Sequence, residues 1–178
     1  TVIATVASYV LSTLRQSGGH GVDHTLRVVA LCEQIGRAEG ANPEILITAA
    51  LLHDIARPRE KTEGISHERE GARIAGEFLP GCGMNPEYIP DIVHAIEAHR
   101  YRSSLIPHTL EAKILSDADK LDAIGAVGIA RTFLTAGERE GDICEGIHHI
   151  HDKLLNLAGL MYTGTARDIA RERHEFLV

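Results

Sequence analysis

Apolar residues recur at helical spacing from the start of the chain onward. Val6, Val10 and Leu14 follow one another at intervals of four residues, which places them on one face of a predicted helix. Gly18 and Gly19 come next and are typical of a helix end. The same periodicity, with its flanking caps and breakers, predicts further helices over about residues 22–39, 43–57, 66–79, 85–99, 110–124, 147–161 and 165–177.

The third of these helices differs from the others because its residues 45–52 carry no charge on any side. A helix without a charged face is typical of the centre of a fold. Asn42 and Pro43 predict its N-cap and first residue, and Pro58 predicts its end. We therefore expect a buried central helix that is followed directly by polar residues.

The remaining segments are predicted loops, and none of them shows the alternation that is typical of β-strands. Residues 58–66 are charged, and residues 135–146 are rich in glycine and acidic residues. The sequence therefore predicts an all-α fold. It would be a compact, single-domain helical bundle over residues 1–178, with a motif-bearing core at about 20–125 and C-terminal helices at about 147–177.

Composition excludes several classes of protein. The net charge of −7 and an aromatic content of 4% argue against a surface for nucleic-acid polymers, which would need a basic face with stacking side chains. The three cysteines are far apart and odd in number, so we expect no disulfide framework. The sequence has neither a membrane-length apolar run nor a basic segment at its start. These features predict a cytoplasmic protein.

Four polar residues stand at the ends of otherwise apolar helical stretches: His24, the pair His53 and Asp54, and Asp119. Two imidazoles and two carboxylates are a donor set that suits a divalent cation. The eight residues before His53 carry no charge, and a carboxylate buried there costs several kcal/mol unless it is paired or bound to a metal. The alternative is that Asp54 forms an ion pair with Arg57.

The order of these residues, H…HD…D, resembles the HD-domain superfamily of metal-dependent phosphohydrolases. The segment from Asp117 to Gly125, Asp-Ala-Asp-Lys-Leu-Asp-Ala-Ile-Gly, is similar to small prokaryotic members, some of which act as nucleotide pyrophosphohydrolases. The resemblance implies that His24, His53, Asp54 and Asp119 bind the ion, which is Mn, Fe, Co, Ni, Zn or Mg.

Two further histidines match elements that recur in this superfamily. His67 begins the pattern His-x-x-x-Gly-Ala, and His99 ends the pattern Ala-Ile-x-x-His. In bimetallic relatives, histidines at such places bind a second ion, whereas in mononuclear relatives they contact phosphate. Arg100, directly after His99, would repel a second cation and suits a bidentate phosphate contact. We therefore predict one tightly bound ion, with His67 and His99 facing substrate phosphate or the water that the metal activates; a second ion stays open.

The proton donor is not fixed by the resemblance. Some nucleotidases of the superfamily carry a glutamate four residues after the aspartate of the HD pair, but here that position is Pro58. Glu60 and His67 are the candidates that remain nearby, and His99 is a third possible catalytic residue.

An acidic protein that handles phosphate needs a local positive potential near the reacting group. Five basic residues close to the motifs are candidates for phosphate binding, with ordinary solvation as the alternative for each. They are Arg27, Arg57, Lys61, Arg100 and Lys120.

These observations predict a metal-dependent phosphohydrolase that cleaves a phosphoester or phosphoanhydride bond of a small nucleotide through metal-activated water. A bimetallic phosphodiesterase or dinucleoside-polyphosphate hydrolase is the first alternative. A metal- and nucleotide-binding sensor module without turnover is the second. A small nucleotide is thus the expected partner, and assembly into a homo-oligomer stays open.

Overall fold

The computed structural model describes residues 1–14, 21–101 and 104–178, apart from the side chain of Lys61. The helix end predicted at Gly18 and Gly19 lies outside these ranges. Within them, the regular secondary structure is helical throughout, which confirms the predicted all-α class.

Eleven α-helices are assigned in the described ranges. They are α1 (Val2–Thr13), α2 (Val22–Glu39), α3 (Pro43–Leu52), α4 (Arg57–Glu63), α5 (His67–Phe78), α6 (Ile89–Ala98), α7 (Leu110–Asp122), α8 (Gly125–Glu138), α9 (Ile143–His149), α10 (Leu155–Leu157) and α11 (Gly164–His174). Single turns of other helix types occur at Leu79–Cys82, Ile150–Leu154 and Ala158–Leu160.

Helix α3 lies at the centre of the fold and packs against α1, α2, α6 and α7. All its residues from Ile45 to Leu52 are buried, as the absence of charge predicted. Asn42 caps the helix because its Oδ1 accepts hydrogen bonds from the N–H groups of Glu44 and Ile45. Helix α3 therefore ends inside the core, and the polar residues His53 and Asp54 that follow it are themselves buried.

The predicted loop over residues 58–66 is wrong for most of its length, because residues 57–63 form α4. Pro58 lies in the first turn of this helix and does not end the previous one. Proline is compatible with the first turn of a helix, where its missing N–H would have no helical partner. Gly64 ends α4 with a left-handed backbone (φ 67°). The short helix brings Arg57 and Glu60 over the end of α3.

The predicted loop over residues 135–146 is also wrong in part, because α8 continues to Glu138 and α9 begins at Ile143. Asp142 starts α9 by accepting a hydrogen bond from the N–H of Glu145 at 2.9 Å. The glycines of this segment lowered its predicted helicity, but packing between α8 and α9 outweighs that weak local preference.

A sharp turn separates α7 from α8. Gly125 has a φ of 78°, which side chains rarely adopt. Gly128 lies so close to the preceding turn that a Cβ there would stand 2.2 Å from the carbonyl oxygen of Ala123. The two glycines let α8 turn back beside the end of α7.

Among the helices of the described ranges, none has both the length and the apolar character needed to cross a membrane.

Candidate active site

The four predicted metal ligands come from three helices and meet at one place. His24 lies in the first turn of α2, His53 and Asp54 directly follow α3, and Asp119 lies on α7. The Nε2 atom of His24 is 3.3 Å from Nε2 of His53, 3.4 Å from Oδ1 of Asp119 and 3.6 Å from Oδ2 of Asp54. The structure thus brings together residues that are up to 95 positions apart (24 to 119).

Both histidines are held by their other ring nitrogen. The hydrogen-bond partners assign N–H to Nδ1 of His53, which donates to the carbonyl oxygen of Ala50 at 2.7 Å. They likewise assign N–H to Nδ1 of His24, which donates to Oδ2 of Asp122 at 2.7 Å. The two Nε2 atoms then present their lone pairs to each other. Such an arrangement needs a positive charge between the nitrogens, so the donor set fits a divalent cation.

In the metal-free protein, a proton supplies this charge. Burial lowers the pKa of His24, but hydrogen bonds with Asp119 and Asp122 and the charge of Asp54 together raise it to about 9. Burial lowers the pKa of His53, which is therefore neutral at neutral pH. Burial opposes ionisation of Asp119, but its hydrogen bond with His24 and the neighbouring imidazoles hold its pKa well below the usual value. A metal ion would displace the proton of His24.

The second carboxylate oxygen of Asp54, Oδ1, faces another pair of histidines, and we call this side the second face of Asp54. The Oδ1 atom lies 3.4 Å from Nε2 of His67 and 3.9 Å from Nε2 of His99. The carbonyl oxygen of Ile96 accepts a hydrogen bond from Nδ1 of His99 at 2.6 Å, so Nε2 of His99 also presents a lone pair. Burial lowers the pKa of His99 to about 4, and the ring is neutral at neutral pH. His53, Asp54 and His99 form a second group of atoms close enough to hold a cation.

Glu60 connects α4 to this second face. Its Oε1 atom is 2.9 Å from Nδ1 of His67 and accepts a hydrogen bond from Arg100 at 3.1 Å, while its Oε2 atom pairs with Arg57 at 3.0 Å. Arg100 also donates to Glu68 at 3.3 Å. Although Glu60, His67 and Glu68 have ligand atoms close together, the two guanidinium groups already supply the positive charge there.

The ionisation of Glu60 bears on its predicted role. Partial burial raises the pKa of this carboxyl group, but the hydrogen bond with His67 and the charges of Arg57 and Arg100 lower it overall. Glu60 is therefore a carboxylate at neutral pH, which can accept a proton before it can donate one.

Two further predicted phosphate-binding residues, like Arg57 and Arg100, have carboxylate partners. Arg27 donates to Asp122 through Nε at 2.7 Å and to Asp23 at 3.0 Å. Lys120 is buried, and its ammonium group donates to Asp117 at 3.3 Å and to the carbonyl oxygen of Leu160 at 3.2 Å. The side chain of Lys61, a third candidate, lies outside the described residues.

A cleft of about 620 Å³ opens from the metal-ligand cluster toward α8 and α9. Asp54, His67, His99 and Asp119 are among the residues that line it. Among the residues that the structure describes, six basic side chains line this cleft. They are Arg57, Arg100, Lys120, Arg131, Arg139 and Lys153.

Three residues near the site were not assigned their roles from sequence. Asp122 binds His24, and Arg131 donates to Asp122 at 2.7 Å. Asp117 is fully buried and accepts hydrogen bonds from the backbone N–H groups of Tyr162 and Thr163. The spacing of three residues from Asp119 to Asp122 was the available signal, because it places both on one helix face.

The HD domain family model matches residues 21–124, which is more than half of the chain. The Bacillus subtilis protein YpgQ is 36% identical over 171 residues, covering 92% of this chain and 82% of that protein. Its crystal structure in complex with ADP has a TM-score of 0.81 and covers 98% of this chain and 91% of the other.

Two further relatives are a protein of known structure and a longer enzyme. A predicted HD superfamily hydrolase from an uncultured Thermotogales bacterium is 32% identical, with a TM-score of 0.73 and coverage of 98% of this chain and 84% of the other. Ribonuclease Y of Rubrobacter xylanophilus is 35% identical over 112 residues, which are 61% of this chain and 20% of that enzyme. The match across residues 21–124, together with helical hydrolases of the same architecture, shows that the chain belongs to the HD domain family and is a metal-dependent phosphohydrolase.

Proposed function

We propose that the protein hydrolyses a phosphoanhydride or phosphoester bond of a small nucleotide, as a nucleotide pyrophosphohydrolase or phosphatase does. The observation that carries this proposal is the cleft of about 620 Å³, which is lined by two of the predicted metal ligands, Asp54 and Asp119, and by six basic side chains among the described residues. Its volume falls in the range of small-molecule sites. The structure of the relative YpgQ in complex with ADP supports a nucleotide as the ligand.

In this proposal, His24, His53, Asp54 and Asp119 hold one divalent ion. Nitrogen and oxygen ligands without thiolate suit Mn, Fe, Co, Ni or Zn, and Mg is compatible with the carboxylates. When bound, such an ion supplies Lewis acidity toward a phosphoryl oxygen and lowers the pKa of water.

Side chains around the ion would bind the phosphates and move the proton. His67 lies 3.4 Å from Asp54 on the side of the cleft, and we assign it to donate a proton to the leaving oxygen. His99, which is neutral and buried, faces the substrate phosphate or the attacking water. Arg57 and Arg100 bind phosphate oxygens by exchanging their carboxylate partners Glu60 and Glu68 for the substrate.

Replacing Arg57 with alanine should raise KM by about 10- to 100-fold, since a hydrogen bond to a charged group contributes about 1.5–3 kcal/mol. The metal content should not change, because Arg57 is not a ligand. Steady-state kinetics with a nucleotide substrate and metal analysis of the same preparation would measure both effects.

Arg59→Ala is the matched control for this variant. Arg59 lies on the same helix but pairs with Glu63 and Glu70 on the protein surface. It should keep the parent KM. If Arg57→Ala also keeps it, Arg57 serves only to hold Glu60.

The second candidate is a bimetallic phosphodiesterase or a dinucleoside-polyphosphate hydrolase. The two faces of Asp54 favour it, because Oδ2 points toward His24 and His53 while Oδ1 points toward His67 and His99. The relatives named ribonuclease Y also support a phosphodiester substrate. A sensor without turnover is the third candidate.

A substrate panel with Mn²⁺ separates the three functions. We expect nucleoside triphosphates to be cleaved, with pyrophosphate or orthophosphate measured as separate products to locate the broken bond. Cleavage of bis-(p-nitrophenyl) phosphate and dinucleoside polyphosphates, without cleavage of mononucleotides, would instead identify the second candidate. Nucleotide binding by calorimetry without any product would identify the sensor.

A further inference from the structure

We propose that Asp122 is a positioning residue of the reaction. It fixes His24 as a metal ligand and holds Arg131 on the wall of the substrate cleft. This inference rests on the metal site proposed above, but it concerns a carboxylate that is not one of the four proposed ligands.

Asp122 is a buried carboxylate that accepts hydrogen bonds from three side chains. The residue ends α7 and is only 1% exposed. Its Oδ2 atom accepts hydrogen bonds from Nδ1 of His24 at 2.7 Å and from Arg131 at 2.7 Å. Its Oδ1 atom accepts a hydrogen bond from Nε of Arg27 at 2.7 Å. A buried carboxylate needs such partners, and here they come from α2 and α8, which both contact α7.

The bond to His24 decides which nitrogen of that ring can bind a metal. With Nδ1–H donating to Asp122, the neutral ring has its lone pair on Nε2. That atom is the one that lies 3.4 Å from Asp119 and 3.6 Å from Asp54. A carboxylate behind a metal-binding histidine both orients the ring and increases its basicity.

The bond to Arg131 connects the same carboxylate to the cleft. Arg131 lies on α8, lines the cleft and donates twice to Asp122, to Oδ2 at 2.7 Å and to the backbone oxygen at 3.0 Å. These bonds fix a guanidinium group on the wall of the cleft, and guanidinium suits the binding of phosphate oxygens. Asp122 therefore sets the position of a metal ligand and of a phosphate-binding side chain together.

Three variants separate these roles. Asp122→Asn keeps the size of the side chain but removes its charge and one acceptor, so Mn²⁺ affinity should fall by about 10- to 100-fold and KM should rise. Arg131→Gln should raise KM without changing Mn²⁺ affinity. Asp117→Asn is the matched control, because Asp117 is a fully buried carboxylate on the same helix whose partners are Lys120, Tyr162 and Thr163. It should keep the Mn²⁺ affinity of the parent.

The measurements are Mn²⁺ titration by calorimetry, steady-state kinetics, and ¹⁵N NMR of the histidine rings in the Zn²⁺-loaded protein. In the parent, the NMR spectrum should show His24 protonated at Nδ1, and Asp122→Asn should reduce or shift that signal. Parent-like Mn²⁺ affinity in Asp122→Asn, or an equal loss in Asp117→Asn, would overturn the role of Asp122 alone. If His53→Ala binds Mn²⁺ as tightly as the parent does, the proposed metal site is wrong, and this inference is wrong with it.

Discussion

Replacing His53 with alanine is expected to remove the bound metal and the activity together, with kcat/KM falling by about a thousandfold or more. The reason is that the ion supplies several kcal/mol of transition-state stabilisation, and each 1.36 kcal/mol is a factor of ten in rate. His53 is fully buried, and its Nε2 atom lies 3.3 Å from that of His24. Without His53, two carboxylates and one imidazole remain as ligands. A proton then competes more effectively with the metal ion for Nε2 of His24.

The measurement is metal content per protein chain, taken beside the rate of nucleotide hydrolysis. His94→Ala is the control, since His94 is a half-buried histidine on α6 that stacks on His108. It should keep both metal and activity. Thermal unfolding of the metal-free proteins shows whether His53→Ala still folds. A folded variant with one full equivalent of metal would contradict the assignment of His53 as a ligand.

The central part of the candidate site could be predicted from sequence because burying its polar residues at the end of an apolar helix costs free energy. His53 and Asp54 follow eight uncharged residues at the end of a buried helix, and such residues need a compensating partner. Asp119 was assigned as a ligand by the resemblance to the HD-domain superfamily. The structure brings Asp119 to His24 and turns Asp117 toward residues 162–163.

The surroundings of these ligands depend on contacts between distant segments, which the chain pattern does not reveal. The hydrogen bond between His24 and Asp122 joins residues 98 positions apart. Arg100 reaches Glu60 across 40 positions. Neither pair follows from local periodicity, because side-chain pairing between helices depends on how the helices pack.

The helices themselves were predictable where capping and burial agreed. Asn42, Pro43 and the uncharged run after them gave α3 with its observed start. The errors at Pro58 and around Gly137 and Gly146 arose from treating these residues as breakers. Proline in a first turn and glycine in a packed helix are both tolerated at modest cost.

The number of metal ions decides between the two enzymatic functions. We expect one tightly bound equivalent in protein purified without chelators, and we expect His67→Ala and His99→Ala to keep it. The loss of a general acid should lower kcat of His67→Ala by about 10²- to 10⁴-fold.

Charge favours one ion over two. The second face of Asp54 offers nitrogen atoms from His67 and His99, which is the feature that supports a second ion. Arg57, however, places a guanidinium nitrogen 3.1 Å from Nε2 of His67, the same atom that would have to bind this ion. Two like charges so close repel each other strongly in a buried site.

The same arrangement suits a phosphate group, because the guanidinium group of Arg57 can donate hydrogen bonds to its oxygens. Metal analysis of the parent, His67→Ala and His99→Ala tests this directly, with His53→Ala as the variant that should lose the first ion. Two equivalents in the parent that fall to one in both the His67 and His99 variants would mean that Arg57 moves aside for a second cation, and the protein would then be a bimetallic hydrolase.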